Sequence, residues 1–181
     1  MTAGDVIQDA LIYVKDASRV NYSDDQLLLL LNDSQDLLGE ALGRTPSTVL
    51  EKELEIELED GVADLPEDFV SVRRVLCGGV YLDASTPGDD KTGTFRIEDG
   101  SLRVPGEAVV DFFYWSSPAR AETESSVLDF PNSFRGGLRK VLTAAMEGEP
   151  GMAETVANAI ALSCIPRERR GRASTYVPFY V

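Results

Sequence analysis

Apolar residues recur along this chain with two different periods, and the change of period divides the sequence into parts. Up to Gly43, and again beyond Phe130, they recur every three or four positions, as on one face of an amphipathic helix. Between about Leu50 and Ser116 they recur every second position, as in half-buried strands. The pattern predicts an α+β fold with a helical core from both chain ends, an inserted antiparallel β module and an extended C-terminal tail.

We expect a single domain, because 181 residues fit one domain with a sizeable insertion. An apolar content of 43% is enough to bury a core. The helical core is expected to comprise residues 1–43 and 130–166. The β-rich insertion comprises residues 50–116, and the C-terminal tail comprises residues 167–181.

The clearest helix signal runs from Tyr22 to Gly43. Ser23 and Gln26 have the spacing of a capping box, and Gly43 supplies a stop signal. The apolar run from Leu27 to Leu31 has no polar break, so one narrow stripe cannot cover it. We therefore expect this helix to be packed on several sides, by other helices of the chain or by a neighbouring subunit.

The remaining helices have weaker signals. Thr2 or Gly4 can cap a first helix that runs through about Ala17. Near the other end, Gly136-Gly137 weakens a helix but permits close approach of another backbone, and Pro150 can open a last helix.

Alternation predicts the first strand of the β module. Leu54, Ile56 and Leu58 face one side, and glutamates fill the intervening positions on the other. This acidic row fits an ordinary exposed strand face, or a surface that must repel a polyanion. Its members are Glu51, Glu53, Glu55, Glu57 and Glu59.

Glycine pairs predict hairpin turns. A two-residue turn at Gly78-Gly79 places Val75 opposite Leu82 and Arg74 opposite Asp83. Both pairings are chemically sensible, since one is apolar and the other joins opposite charges.

The stretch Phe95–Val104 carries the strongest hairpin signal. A turn at Asp99-Gly100 pairs Ile97 with Leu102 and puts the apolar side chains of both strands on one face. The stretch Val109–Trp115 is almost wholly apolar and aromatic, which predicts a central strand covered on both faces.

Charge and composition restrict the function. Asp and Glu number 31 against 17 Lys and Arg, which gives a net charge of −14 and opposes general binding to nucleic acid or anionic membranes. No apolar stretch reaches the roughly twenty residues of a membrane span, and Met1–Gln8 lacks a signal-peptide pattern. Cys77 and Cys164 have no redox or zinc spacing, which indicates a reducing compartment.

The sequence lacks the residues of common catalytic sites. It has no histidine, and it contains no phosphate-binding loop, dinucleotide fingerprint, nucleophile elbow or calcium loop. We therefore expect no enzymatic activity, no cofactor and no metal. The abundant carboxylates keep one alternative open, a carboxylate- and metal-dependent phosphate-ester hydrolase.

The C-terminal tail combines a basic cluster with an aromatic end. The arginines can contact phosphates or an acidic partner, or form a solvated linker. A small regulatory domain with a nucleic-acid-binding basic tail is thus a further alternative. The aromatic residues can dock on their own domain or, as an added strand, on another protein. These candidate partner-binding residues are Arg167, Arg169, Arg170, Arg172, Tyr176, Val177, Phe179, Tyr180 and Val181.

The order of these parts resembles a known family. An N-terminal helix pair is followed by Leu65–Val70 (LPEDFV), the hairpins Val75–Leu82 and Phe95–Val104, the aromatic strand Val109–Trp115 and the entry Leu128–Pro131 (LDFP) into a Gly- and Ala-containing helix. This arrangement resembles the head-to-tail adaptor, or connector, proteins of tailed bacteriophages. The resemblance covers most of the chain and rests on order and spacing.

The resemblance implies a structural virion protein without catalytic residues. Family members assemble as rings beneath the portal, dodecameric in the best-known short-tailed phages, and extend the DNA channel toward a tail tube or nozzle. By the same resemblance, Arg167–Val181 would reach the portal protein, and DNA would pass an acidic channel wall without specific binding.

Overall fold

The computed structural model describes residues 1–86, 91–148 and 151–165 of the chain. Its helices are α1 (Ala3–Tyr13), α2 (Asp24–Gly43), α3 (Arg135–Met146) and α4 (Met152–Ser163), with a 3-10 turn at Asn132–Phe134. Its strands are β1 (Glu51–Glu57), β2 (Val62–Asp64), β3 (Phe69–Cys77), β4 (Val80–Tyr81), β5 (Asp83–Ala84), β6 (Thr94–Glu98), β7 (Ser101–Arg103) and β8 (Val109–Ser116). The α+β class expected from the sequence is confirmed.

The chain forms two compact units. The helical unit contains Met1–Leu50 together with the described residues from Pro118 onward, and the β unit contains Glu51–Ser117. Each is described by itself below.

Helix α3 is the centre of the helical unit, because it packs against α1, α2 and α4. A Cβ added at Gly137 of α3 would lie 3.4 Å from the Ile160 side chain of α4, which is an ordinary contact distance, and none of the described atoms outside its own helix lies within 4 Å of one added at Gly136. The close approach of another backbone that was expected at these glycines is therefore not observed among the described residues. The largest fully buried side chains of the unit are Ile7, Leu27, Leu31, Leu38, Leu42, Phe130, Leu138 and Leu142.

Helix α2 has the predicted start. Ser23 caps it, and Gln26 completes the capping box by accepting a hydrogen bond from the Ser23 backbone. Leu27 and Leu31 are fully buried by their own chain, whereas Leu29 is 56% exposed. The chain's own helices therefore cover Leu27 and Leu31, but they leave the Leu29 side of the run open.

Helix α1 is shorter than predicted. Thr2 caps it in a capping box with Asp5, whose pKa is lowered mainly by the hydrogen bond from the Thr2 backbone. It ends at Tyr13 and not near Ala17, because the buried Asp16 carboxylate accepts hydrogen bonds from the backbone N–H groups of Val20 and Asn21.

The segment that returns from the β unit pairs with the start of α1. The Ala3 N–H donates to the Ser126 carbonyl over 2.9 Å, and the Gly4 N–H donates to the Glu124 carbonyl over 2.8 Å. Two of the N–H groups that a helix leaves unpaired at its start are satisfied in this way.

Asn32 of α2 holds the same segment through a buried side chain. Its Nδ2 donates to the Ala121 carbonyl over 3.1 Å, and its Oδ1 accepts from the Ala121 N–H over 2.8 Å. Gln35 also donates to Oδ1. The Asn32 side-chain amide therefore forms both hydrogen bonds that the Ala121 backbone would otherwise form with another peptide group.

An ion pair joins α1 to α3. The Arg135 guanidinium contacts both carboxylate oxygens of Asp9 at 2.7 and 2.9 Å. This bidentate hydrogen bonding lowers the pKa of Asp9.

The β unit contains two four-stranded sheets. In one the strand order is β1-β8-β3-β4, and in the other it is β2-β7-β6-β5. All pairs are antiparallel except β5 with β6, which is parallel, so the expectation of a purely antiparallel module is wrong for this pair. The two sheets share one apolar core formed by Ile56, Leu58, Val75, Leu82, Phe95, Leu102, Val104, Val110, Phe112 and Tyr114.

The second hairpin has the predicted register. Ile97 pairs with Leu102 across β6 and β7, and the turn residues Asp99 and Gly100 have φ values of 52° and 78°. Positive φ at both central residues is what a type I′ turn requires.

The first hairpin confirms one predicted pair and contradicts the other. The Leu82 N–H donates to the Val75 carbonyl over 2.9 Å, as expected. Asp83 leaves the hairpin and pairs with Thr94 in the second sheet, so the expected pairing of Arg74 with Asp83 is wrong.

Strand β8 is central, but its two faces differ. Phe112 and Tyr114 face the core, where their rings stack 5.4 Å apart. Asp111 and Phe113 face the other side and are half-buried. The expectation that this strand is covered on both faces is therefore wrong at these two positions.

Asp68, in the turn before β3, forms hydrogen bonds with side chains of β1 and β8. It accepts hydrogen bonds from Lys52 Nζ over 2.5 Å and from the Tyr114 hydroxyl over 3.0 Å. Burial acts to raise its pKa, but these two donors outweigh burial, so the pKa of Asp68 lies below its ordinary value.

We expect Asn32→Asp to destabilise the helical unit at pH 7, because a carboxylate cannot donate to the Ala121 carbonyl. Leaving that buried acceptor unpaired costs about 1–3 kcal/mol. A protonated carboxyl can donate, so the loss should shrink as the pH falls toward 4 and below. Urea unfolding followed by circular dichroism measures both effects.

Asn32→Leu is the control, since it also leaves the Ala121 carbonyl without its donor, although it removes the acceptor for the Ala121 N–H and Gln35 as well, and it has no titrating group. Its loss of stability relative to wild type should not shrink on acidification. Equal pH dependence for the two variants would contradict the role given to the Asn32 amide.

We expect Lys52→Met to destabilise the β unit near neutral pH. The lowered pKa of Asp68 means that its ionised form stabilises the fold above about pH 4, and that this contribution is lost as the pH falls through the folded-state pKa. The difference between variant and wild type should therefore shrink below about pH 4. Fluorescence of Trp115, the one tryptophan of the chain, reports unfolding of this unit.

Lys140→Met is the matched control, because it removes an exposed lysine from the helical unit. A similar pH-dependent difference in this control would show that overall charge, and not Asp68, causes the effect.

Candidate assembly surfaces

The acidic row of β1 is an exposed surface at the edge of its sheet. Glu53, Glu55 and Glu57 are exposed and share the face that points away from the core. Across the ladder, Glu55 lies opposite Asp111 of β8, which adds a fourth carboxylate. Like charges directly opposite each other destabilise a sheet, so this concentration of charge is not explained by stability.

The two ends of the predicted row differ from its middle. The Glu51 side chain is only 13% exposed, and its carboxylate contacts the Arg74 guanidinium at 2.8 Å. Glu59 is exposed but lies beyond the end of β1, where its backbone pairs with Val62. The exposed strand row is therefore Glu53, Glu55 and Glu57.

On the other side, β1 departs from the predicted pattern. Ile56 and Leu58 are buried as expected, but Leu54 is largely exposed. Leu54 lies on an edge strand, so nothing on its free side extends the core over it.

Two arginines cover the aromatic part of the same outer face. The Arg74 guanidinium lies 4.0 Å from the centre of the Phe113 ring, and that of Arg73 lies 4.6 Å from the Trp115 ring. The strand register shifts between Val72 and Arg74, which allows consecutive arginines to cover the same face. The sequence analysis did not predict that arginines pack on these two rings. The pair Arg73-Arg74 inside a predicted strand was the signal that could have indicated it.

The open face of α2 is also acidic. Asp25, Asp33 and Glu40 are exposed, and the exposed Leu29 lies one helical turn from each of the two aspartates. Burial raises the pKa of the neighbouring Asp36, although the Arg120 guanidinium at 3.3 Å favours its charged form.

Helix α4 presents a different kind of surface. Met152 and Leu162 are exposed, and from Thr155 to Ile165 the sequence contains no Asp, Glu, Lys or Arg. The hydroxyl groups of Thr155 and Ser163 donate to carbonyls of their own helix, so they do not make this face strongly polar.

The described residues contain no candidate metal centre. No three Asp, Glu or Cys side chains among residues 1–86, 91–148 and 151–165 converge on a position that could hold an ion. The hydrolase alternative therefore has no candidate site there. Within the same ranges, no helix is long and apolar enough to cross a membrane.

The Cys77 thiol forms a hydrogen bond with a carboxylate. Its thiol donates to Glu107 over 2.9 Å, and this hydrogen bond, with burial, raises the pKa of Cys77. Thiolate formation is thereby disfavoured, which argues against a nucleophilic role for this residue.

The predicted partner-binding tail lies outside the described residues. This applies to Arg167, Arg169, Arg170, Arg172, Tyr176, Val177, Phe179, Tyr180 and Val181. The same holds for Pro150, the predicted start of the last helix; among described residues, Gly151 caps α4 with a φ of 77°.

The exposed faces of β1 and α2 are acidic, and that of α4 is largely apolar. Such surfaces are typical of contacts with other macromolecules. No curated protein sequence matches the chain. A family model described as "SU10 adaptor protein" matches residues 1–177, which include the helical unit, the β unit and most of the tail. The chain therefore belongs to the SU10 adaptor family, a family of phage head–tail adaptors.

Proposed function

We propose that the chain is a structural virion protein that forms a ring on the portal and extends the DNA channel toward the tail. The observation that carries this proposal is the family match over 1–177, since it includes both units. The portal protein is the partner on one side of the ring, and a tail tube or nozzle protein is the partner on the other. Assembly takes place in the host cytoplasm, and the protein then resides at the head–tail interface of the virion.

The charge distribution supports passage of DNA without binding. The chain has a net charge of −14, and the exposed row Glu53, Glu55 and Glu57 has a fourth carboxylate, Asp111, beside it. In a ring, each copy repeats this row, and the summed negative potential repels phosphates. We propose that this row faces the channel.

The C-terminal tail is the segment we propose for portal attachment. It combines four arginines with a cluster of aromatic residues, and both types are enriched at protein–protein interfaces. The family resemblance points to the same segment.

We expect deletion of Ala173–Val181 to leave the helical and β units folded while portal binding is weakened, because the aromatic end is removed and the four arginines remain. The truncated chain should keep the wild-type circular dichroism spectrum and Trp115 emission. Co-sedimentation with the portal of the same phage measures attachment. An unfolded truncated chain would show that the segment belongs to its own core, and undiminished portal binding would show that attachment lies elsewhere.

We expect the triple variant Glu53→Lys, Glu55→Lys, Glu57→Lys to slow DNA ejection from particles that carry it, because cations on the channel wall bind phosphates. The effect should be largest at low salt, as for any phosphate contact. Ejection rates from complemented particles at several salt concentrations test this.

The matched control is Asp25→Lys, Asp33→Lys, Glu40→Lys, which reverses three exposed charges on α2. Ejection should be unaffected in this control. Slowing in the control alone would indicate that the α2 face lines the channel, and would contradict the assignment to β1.

A further inference from the structure

We propose that neighbouring copies of the chain contact each other head to tail through two unlike surfaces of the helical unit. The first is the α4 face, formed by Met152, Thr155, Ala159 and Leu162. The second is the α1 patch, formed by Ile12 and Tyr13. This inference rests on the proposed ring, and it names the surfaces by which the ring closes.

The α4 face has the composition of a covered helix surface. Its buried side already packs on α2 and α3 through Ala157 and Ala161. Its opposite side still carries Leu162, 59% exposed, and Met152, and no charged side chain follows Glu154 up to Ile165. A helix that is apolar on both sides is normally buried on both, and none of the described residues covers the outer side.

The α1 patch is apolar with a basic margin. Ile12 and Tyr13 are adjacent at the end of α1, and both are well exposed. The Arg139 guanidinium lies 5.4 Å from the centre of the Tyr13 ring, and the exposed Lys15 follows two residues later.

The positions of the two surfaces suit a ring. Helix α3 packs against both α1 and α4, which make at most slight contact with each other. The outer sides of α1 and α4 are therefore two separate surfaces of the unit. A closed ring requires this arrangement, because each copy must offer one surface to the copy before it and a different surface to the copy after it.

Charge favours a second copy as the occupant. Two copies that each carry −14 repel one another wherever acidic faces meet, which disfavours contact at Asp25, Asp33 and Glu40 of α2. The α4 face carries no charge from Thr155 to Ile165, which minimises this repulsion. The exposed Glu154 at the start of α4 is opposite in charge to Lys15 and Arg139 at the margin of the α1 patch, so the two surfaces complement each other in a pair of copies.

Sedimentation velocity of purified full-length variants tests the inference. The α1 variant is Ile12→Gln, Tyr13→Gln, and the α4 variant is Met152→Gln, Leu162→Gln. The matched control, Val20→Gln, Leu29→Gln, removes two other exposed apolar side chains from the same unit. Self-association of wild type and control should be equal. Each face variant should associate at least about tenfold more weakly, because apolar contact area is lost.

The mixture of the two face variants is the decisive measurement. Each retains the surface that the other has lost, so an equimolar mixture should form one-to-one dimers that neither forms alone. An α1 variant that dimerises by itself would indicate contact between two α4 faces and would overturn the head-to-tail arrangement.

Three other results would also overturn the inference. These are wild-type association in both face variants, a wild type that stays monomeric up to its solubility limit, and a loss of monomer stability in the α4 variant, which would mean that its own chain covers the face. None of them bears on whether the protein resides at the head–tail junction. Immunogold labelling of virions and the portal co-sedimentation above test that part separately.

Discussion

The helical unit depends on the hydrogen bonds that join the start of α1 to the segment returning from the β unit. Ala3 and Gly4 donate to carbonyls of that segment, and the Leu128 N–H donates back to the Met1 carbonyl. Each such bond contributes only about 0.5–1.5 kcal/mol net, but an unpaired buried group would cost more. A Cβ at Gly4 would lie 3.1 Å from the Glu124 carbonyl oxygen, so a side chain there would require the returning segment to shift slightly.

This contact determines where the second half of the helical unit begins. Asn32 holds Ala121 on α2 while α1 holds residues 124–128, so the returning segment is attached to both N-terminal helices. Helix α3 follows directly, and the ion pair of Arg135 with Asp9 aligns its first turn with α1. An insertion as long as the β unit is then tolerated, because the cost of closing a loop grows slowly with its length.

Local signals predicted the elements well. The capping box of α2 and the Asp99-Gly100 turn involve residues within a few positions of each other, so their geometry can be read from the sequence. The two parts of the fold and their order also followed from the change of hydrophobic period.

Distant contacts could not be predicted in the same way. Asp83 pairs with another sheet, and the early end of α1 depends on a carboxylate that binds the following loop. The sequence predicted the exposed middle of the acidic row. The pairing of Glu51 with Arg74 was not predicted, because the two residues are 23 positions apart in sequence. Register between distant strands is set by the whole sheet, and no local pattern encodes it.

In the proposed ring, a subunit has to contact its own copies while DNA passes nearby, and these two requirements oppose each other. Carboxylates prevent adhesion to phosphate, but the same charge opposes the approach of an identical subunit. The described surfaces separate these tasks: β1 and the open face of α2 carry carboxylates, whereas the outer side of α4 carries no charge from Thr155 to Ile165. Acidity over the whole surface would serve solubility alone, and it would not leave one helix face neutral. The uneven distribution of charge is therefore the feature that links the sequence of this adaptor to assembly.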